Sequence, residues 1–159
     1  MILRSPEDSF EGIGEWLMDK ITLRNNTTHH LRFMYDMLYE RDDTVAISFE
    51  MPTYEDHVNF VLNHPYIEWY IIYLDETPIG NIYLNTDFSW GYFIKKEFQG
   101  KGYGTLALKE LVKLHPHEYY YANINPQNDV AKHQARDKFK GKLIQFTYKI
   151  KRDDILNQE

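Results

Sequence analysis

Three short runs of apolar and aromatic side chains, separated by turn residues, dominate the middle of the chain. Glu68–Leu74 is rich in aromatic and β-branched residues and predicts a strand. Asp75-Glu76-Thr77-Pro78 is a turn, residues 79–85 form the return strand, and Thr86-Asp87 turns the chain into a third strand, Ser89–Ile94. This is an antiparallel meander. Before it, the period changes to that of helices. Thr27 or Thr28 caps a helix with Leu31, Met34, Tyr35 and Leu38 on one face. Thr53, with Asp56 three residues on, caps a second, whose buried face is Tyr54, Val58, Val61 and Leu62. Residues 21–24 alternate as a short strand, and residues 45–51 are apolar and irregular. Further upstream, Ser5-Pro6-Glu7-Asp8 starts a helix with Phe10, Ile13, Leu17 and Met18 on one face, weakened by Gly12 and Gly14.

After the meander, Ala107, Leu108, Leu111 and Val112 mark one face of an amphipathic helix. Residues 119–124 predict a strand and residues 129–138 a helix. In residues 143–150, Ile144, Phe146, Tyr148 and Ile150 alternate with polar side chains, which predicts a last strand. The order β α α β β β α β α β implies an α/β fold: a mixed, mostly antiparallel sheet with helices on both faces. The length of 159 residues suits one domain, with residues 1–20 an extra N-terminal segment and 151–159 a polar tail.

Composition removes several chemistries. With Cys 0 there is no disulfide, thiolate nucleophile or cysteine-ligated zinc. No apolar run approaches the ~20 residues of a membrane span. No basic start leads into an apolar secretory core, so a cytoplasmic protein is expected. The net charge of −6 conceals a split, since residues 1–94 carry 5 basic and 16 acidic side chains whereas residues 95–152 carry 13 basic and 5 acidic. That split suggests an anion-binding back half and a front half suited to a cationic partner; the other reading is that folding intermixes the two.

The basic half holds Gly100, Gly102 and Gly104, between the third meander strand and the amphipathic helix. Strand, glycine loop and helix start form a phosphate-binding arrangement. Glycines admit positive φ and close approach, and the helix start presents unpaired N–H groups at the positive end of its dipole. The loop lacks the Gly-Lys-Ser/Thr ending of a P-loop and does not follow the first strand of a dinucleotide fold, which disfavours a nucleotide-binding domain.

Gln99-x-x-Gly102-x-Gly104 resembles the pyrophosphate loop of the GNAT superfamily of acetyl-CoA-dependent N-acetyltransferases. Downstream, Ile124-x-Pro126-x-Asn128-x-x-Ala131 resembles the family's link from the fifth strand to the next helix. The resemblance covers residues 21–150 and implies a GNAT-like acyl-CoA N-acyltransferase fold. It implies coenzyme A binding by the backbone of Gln99, Gly100, Lys101, Gly102, Tyr103, Gly104 and Thr105, with Lys101 and Lys132 meeting phosphate charge. Phe93, Ile94 and Lys95 would pair with the pantetheine arm. The fourth and fifth strands would part there to admit the thioester, with Asn123, Asn125 and Asn128 on the opposite side.

The implied reaction is direct attack of a neutral amine on the thioester in a ternary complex. A base takes the amine proton, and a strand N–H stabilises the oxyanion. Asp87 is a candidate base, although it also reads as a turn residue, and Glu68 is a candidate base or cation anchor. The tyrosine the family commonly uses as acid, seven residues after Asn128, is Ala135 here. His133 or solvent replaces it, or the thiolate leaves unprotonated. Tyr92, Tyr103 and Tyr121 are candidate cleft residues. Phe49, Glu50 and Met51 occupy the family's acceptor-shaping region. His29-His30 and His115-Pro116-His117 lack a third ligand at metal spacing, so no metal is expected. Lys138, Lys140 and Lys142 read as a solvated helix end. Neither nucleic acid nor membrane is an expected partner, and a monomer or homodimer is expected. The branch most resembled includes ribosomal-protein N-terminal and amino-sugar-nucleotide acetyltransferases. The expected acceptor is a small primary amine, with a coenzyme-A-binding protein without catalysis, or a protein N-terminal acetyltransferase, as alternatives.

Overall fold

The structure, a computed structural model, describes residues 20–42 and 50–158. The helix expected within residues 1–20, most of the irregular stretch 45–51, and Phe49 lie outside the described residues. The described elements are β1 (Ile21–Asn25), α1 (Leu31–Leu38), α2 (Tyr54–Leu62), β2 (Glu68–Leu74), β3 (Thr77–Leu84), β4 (Ser89–Ile94), α3 (Tyr103–Leu114), β5 (Tyr121–Ala122), α4 (Asp129–His133) and α5 (Arg152–Leu156). They form a mixed α/β fold around one five-stranded sheet of order β1-β2-β3-β4-β5. The first four strands pair antiparallel, and β5 joins β4 in parallel.

Alternation along β2 explains the two-sided core. Tyr70 and Ile72 face α3, joined by Ile82, Leu84 and Ile94 of the neighbouring strands and by Ala107, Leu108 and Leu111 of the helix. Ile71 faces the other way, onto Met34 of α1 and Val61 of α2, with Trp69 and Tyr73 packed alongside. Ile71, Ile72, Ile79, Ile82 and Leu111 are fully buried, each stabilising the fold by about 1.5–3 kcal/mol. The helix starts follow the sequence. Thr53 Oγ accepts the Asp56 N–H at 3.1 Å, and Glu55 and Asp56 sit in the first turn, where the helix dipole favours acids.

The register of β2 on β3 shifts between Ile72, opposite Gly80, and Tyr73, opposite Pro78, which leaves Ile79 as the extra residue of a bulge. Pro78 has no N–H for the ladder and is tolerated there. At the bulge β3 and β4 come very close. A Cβ on Gly80 would stand 2.3 Å from the Phe93 carbonyl oxygen.

Three expected elements differ. The strand expected over residues 119–124 pairs only at Tyr121 and Ala122, because β4 and β5 diverge beyond that point. The helix expected over residues 129–138 is α-helical to His133 and continues as a wider π-type turn over Gln134–Lys138. The alternating segment 143–150 is outside regular secondary structure and exposed throughout. Alternation identifies a chain ready to pair, but a strand also needs a partner edge, and among the described residues none pairs with it.

Candidate active site

Ser89 pairs with Tyr121 and Trp90 with Ala122, and there the contact between β4 and β5 ends. From Gly91 onward a wedge opens between them. Hydrogen-bonded and non-bonded pairs alternate along an antiparallel ladder. Asn85 N–H donates to Ser89 O at 2.8 Å and Lys95 N–H to Ile79 O at 2.8 Å, so the odd-numbered residues of β4 turn their backbone to β3. The peptide groups facing the wedge are therefore those of Tyr92 and Ile94. This shifts the pairing expected for Phe93, Ile94 and Lys95: by parity, Phe93 and Lys95 are engaged with β3. Gln99 Nε2 donates to the Ile94 carbonyl at 2.7 Å and closes the end of that edge.

Beyond Gln99 the backbone turns through Gly100 (φ +75°) and Gly102 (φ +83°), and Gly102 is the N-cap of α3. Both are in the left-handed region, where a side chain is strained. A Cβ at either would meet nothing within 4 Å, so the space in front of them is open. The first bond of α3 runs from Leu106 N–H to Gly102 O at 3.2 Å, so the N–H groups of Tyr103, Gly104 and Thr105 precede the helical ladder. Gly104 is needed for packing, since a Cβ there would fall 2.5 Å from the Tyr92 ring. Tyr92 donates to Gln134 Oε1 at 3.0 Å, Gln134 Nε2 donates to Thr105 Oγ at 3.1 Å, and Lys138 Nζ reaches the same oxygen at 3.3 Å. Burial raises the Tyr92 phenol above its ordinary value, so it stays protonated at neutral pH.

These parts line one cleft of about 1130 Å³. It brings together Phe93, Ile94, Gln99, Gly100, Gly102, Tyr103, Gly104 and Thr105 on one side, and Asn123, Asn125 and Asn128 on the other. Asn128 Oδ1 accepts the Ala131 N–H at 3.0 Å and caps α4. Glu50 also lines the cleft. The remaining sequence candidates stand elsewhere. Asp87 is in the β3–β4 turn, where hydrogen bonds from Ser89 hold its carboxyl below the usual range and weaken it as a base. Glu68 accepts from Tyr70 at 3.1 Å, and the Tyr70 hydroxyl lies 2.7 Å from the His115 ring. His133 pairs with Asp137 at 2.9 Å on the surface. Lys132 pairs with Asp129 at 2.7 Å, and Lys101 projects over the Phe98 ring. Met51, Lys95 and Tyr121 do not line the cleft.

Several cleft residues had no clear signal in the sequence. Lys138 reads there as a solvated helix end, but the π-type turn carries it over Thr105. Phe60, Tyr66, Trp69 and Tyr83 form an aromatic wall, with Tyr66 and Tyr83 stacked at 4.0 Å and the others edge-on to Tyr66. Burial raises the Tyr66 phenol to about 12. These rings converge from α2, the loop after it, β2 and β3, which no linear spacing reveals. Asp42, Glu50 and Asp56 line the same end. Arg41 lines the cleft there too, its guanidinium 6.0 Å from the Phe93 ring and close enough to act on the Tyr66 and Tyr83 phenols, so the α1–α2 side carries mixed charge, with Lys138 by the glycine loop.

His57 also lines the cleft and is buried on α2. Its Nε2 lies 3.2 Å from the Leu31 carbonyl, a contact in which the ring nitrogen donates. Burial lowers its pKa despite that bond, and His30 is lowered mainly by burial too. The unfolded chain therefore takes up protons first as pH falls. Stability is full above the ordinary imidazole value of about 6.5 and declines below it until the lower folded values are reached. Urea melts across that window should show this decline, and His57→Gln should reduce its slope without removing the His30 part. An unchanged slope in the variant would mean that His57 is not held neutral by the fold.

Residues 29–136 match the Acetyltransferase (GNAT) family. A curated relative, Decapping nuclease RAI1 of Yarrowia lipolytica (strain CLIB 122 / E 150), is 31% identical over 121 residues; these are 75% of this chain but 31% of that protein. Among solved structures, RimL, a ribosomal L7/L12 alpha-N-protein acetyltransferase in complex with coenzyme A, aligns with a TM-score of 0.61 at 16% identity, covering 76% of this chain and 80% of that one. Spermidine N-acetyltransferase from Vibrio cholerae, in complex with CoA and spermine, aligns with a TM-score of 0.62 at 19% identity, covering 74% and 78%. At these identities the structures speak for the fold alone. With the family match spanning more than half of the sequence, the chain belongs to the Acetyltransferase (GNAT) family.

Proposed function

We propose that the protein transfers an acetyl group from acetyl-CoA to a small, cationic primary amine by direct attack in a ternary complex. The observation that carries this reading is the wedge between β4 and β5 running into the Gly100–Gly104 turn within a single cleft. Acetyl-CoA supplies the activated acyl group as a thioester. The chain's part is to bind and orient. The N–H groups of Tyr103, Gly104 and Thr105, with Lys138 beside them, suit a pyrophosphate. The peptide groups of Tyr92 and Ile94 suit an extended amide-bearing arm lying along β4 as a further strand. One of the same strand N–H groups would stabilise the carbonyl oxygen as it gains charge.

At the other end, Asp42, Glu50 and Asp56 outnumber Arg41 among the lining charges and favour a cation, and the aromatic wall gives an ammonium or its alkyl chain a desolvated surface. Amine acceptors appear in the names of both solved relatives, a polyamine in one and a protein N-terminus in the other. The test is release of free thiol from acetyl-CoA with a panel of polyamines, aminoglycosides, amino-sugar nucleotides and N-terminal peptides, alongside thermal shift with coenzyme A. Stabilisation by coenzyme A and turnover on small cationic amines is the expected result. Ala135, in the position of the family's usual tyrosine, favours a second reading as a coenzyme-A-binding protein without catalysis. Stabilisation with no turnover on any amine would select it. Absence of any response to coenzyme A or acetyl-CoA would overturn both.

A further inference from the structure

Tyr83 of β3 lies directly opposite Gly91 of β4. Ile82 and Leu84 on either side of it face α3, so Tyr83 faces α1 and α2. Its ring leans across β4. A Cβ on Gly91 would stand 2.3 Å from the Tyr83 hydroxyl oxygen and 2.4 Å from the ring carbon that bears it. Gly91 is also where the wedge opens, one residue past the Trp90–Ala122 pair. The hydroxyl is thus carried over the strand to the mouth of the wedge. The stack on Tyr66 at 4.0 Å, with planes 10° apart, holds the ring in place. An aromatic ring over a strand glycine is a packing device in its own right. That accounts for the ring, which Phe would supply as well, but not for the hydroxyl. Among the described residues the hydroxyl makes no hydrogen bond, whereas an enclosed tyrosine usually finds a partner for its O–H.

The side of approach gives the hydroxyl a role. The peptide groups of Tyr92 and Ile94 face the wedge, so a thioester carbonyl held by the Tyr92 N–H would lie next to Gly91. An acceptor drawn in by Asp42, Glu50 and Asp56 comes from the α1–α2 side, along Phe60, Tyr66 and Trp69. The Tyr83 hydroxyl stands between that wall and the strand that would hold the carbonyl. We propose that Tyr83 orients the acceptor amine: its hydroxyl oxygen accepts one N–H of the neutral amine and leaves the nitrogen lone pair directed at the thioester carbonyl in the wedge. This rests on the acetyl-transfer reading above and adds to it the group that aims the nucleophile. Burial holds the phenol above its ordinary value although Arg41 pulls the other way, so at neutral pH it is uncharged and has lone pairs to offer. Gly91 is then the gap through which the hydroxyl reaches the wedge.

The test is steady-state kinetics of thiol release from acetyl-CoA, with spermidine and with kanamycin as acceptors, on the parent, Tyr83→Phe, Gly91→Ala and the double variant. Tyr83→Phe keeps the stacked ring, so its circular dichroism and its coenzyme A affinity by calorimetry should match the parent's. Its kcat on the amine should fall by about tenfold to a hundredfold, while the slow release of thiol to water, with no amine present, keeps the parent's rate. A merely structural role would lower both. Gly91→Ala pushes the hydroxyl aside without removing it and should show the same loss. The double variant should be no slower than either single one, because both act through one hydroxyl. Undiminished amine turnover in Tyr83→Phe, an equal fall in the reaction with water, or losses that multiply in the double variant would overturn the proposal and leave the acetyl-transfer reading standing. A parent that binds coenzyme A but turns over neither amine would overturn that reading and this one together.

Discussion

Gly102→Val is expected to abolish coenzyme A binding while leaving a folded protein. Two features of the turn lead to this result. At φ +83° the residue is in the left-handed region, which costs a residue with a Cβ about 1–2 kcal/mol, and more when it is β-branched. That strain alone should lower the melting temperature by only several degrees. The larger effect is on the ligand. The space a Cβ would enter is empty of protein atoms within 4 Å, so the fold accepts the side chain. A pyrophosphate resting on the N–H groups of Tyr103, Gly104 and Thr105 would have to share that space. Calorimetric titration with coenzyme A should show a loss of at least a hundredfold in affinity, about 3 kcal/mol. Affinity preserved within a few-fold would mean that the turn does not hold the phosphates.

Gly80→Val is expected to have the opposite profile, with a large loss of stability and a secondary loss of binding. Its Cβ would meet the Phe93 carbonyl at 2.3 Å and the Ile94 Cα at 3.2 Å. Both are backbone atoms in the ladder of β3 and β4, so no rotamer change relieves the clash. Overpacking at a site that cannot yield costs about 3 kcal/mol or more, which lowers the melting temperature by about 6–12 °C for a chain of this size. Any relief must push β4 outward, carrying Tyr92 and Ile94 off the wedge. Coenzyme affinity should therefore fall along with the melting temperature. A melt indistinguishable from the parent's would show that the strands can separate at the bulge at no cost.

The contrast between these glycines also marks where sequence reading succeeds. Gly102 is legible, because strand, glycine turn and helix have a local physical meaning and its neighbours in the chain are its neighbours in space. The same holds for Glu68–Leu74 and Ser89–Ile94, observed at their expected bounds, and for Thr53 as the cap of α2. Gly80 is not legible, since its need arises from a register shift against β2 and from the approach of Phe93. Lys138 is misleading for a similar reason: a widened helical turn, invisible in composition, carries it to Thr105. Asp87 and His133 show the reverse limit. Their residue types suit proton transfer, but local partners, Ser89 and Asp137, engage them away from the cleft. The aromatic wall is the hardest part to read. Phe60, Tyr66, Trp69 and Tyr83 look like ordinary half-buried strand and helix residues until the sheet brings them together.

The wedge has one further consequence. A strand whose peptide groups face an empty slot is a template for another polypeptide, and edges of that kind seed aggregation. Gln99 blocks the far end by bonding to Ile94 O, but the stretch at Tyr92 stays open. A ligand that mimics a strand on one side and has no peptide edge on the other fills the slot without passing the template on. The donor substrate would then also act as a stopper, so that occupancy of the site protects the protein against misassembly as well as preparing it for turnover.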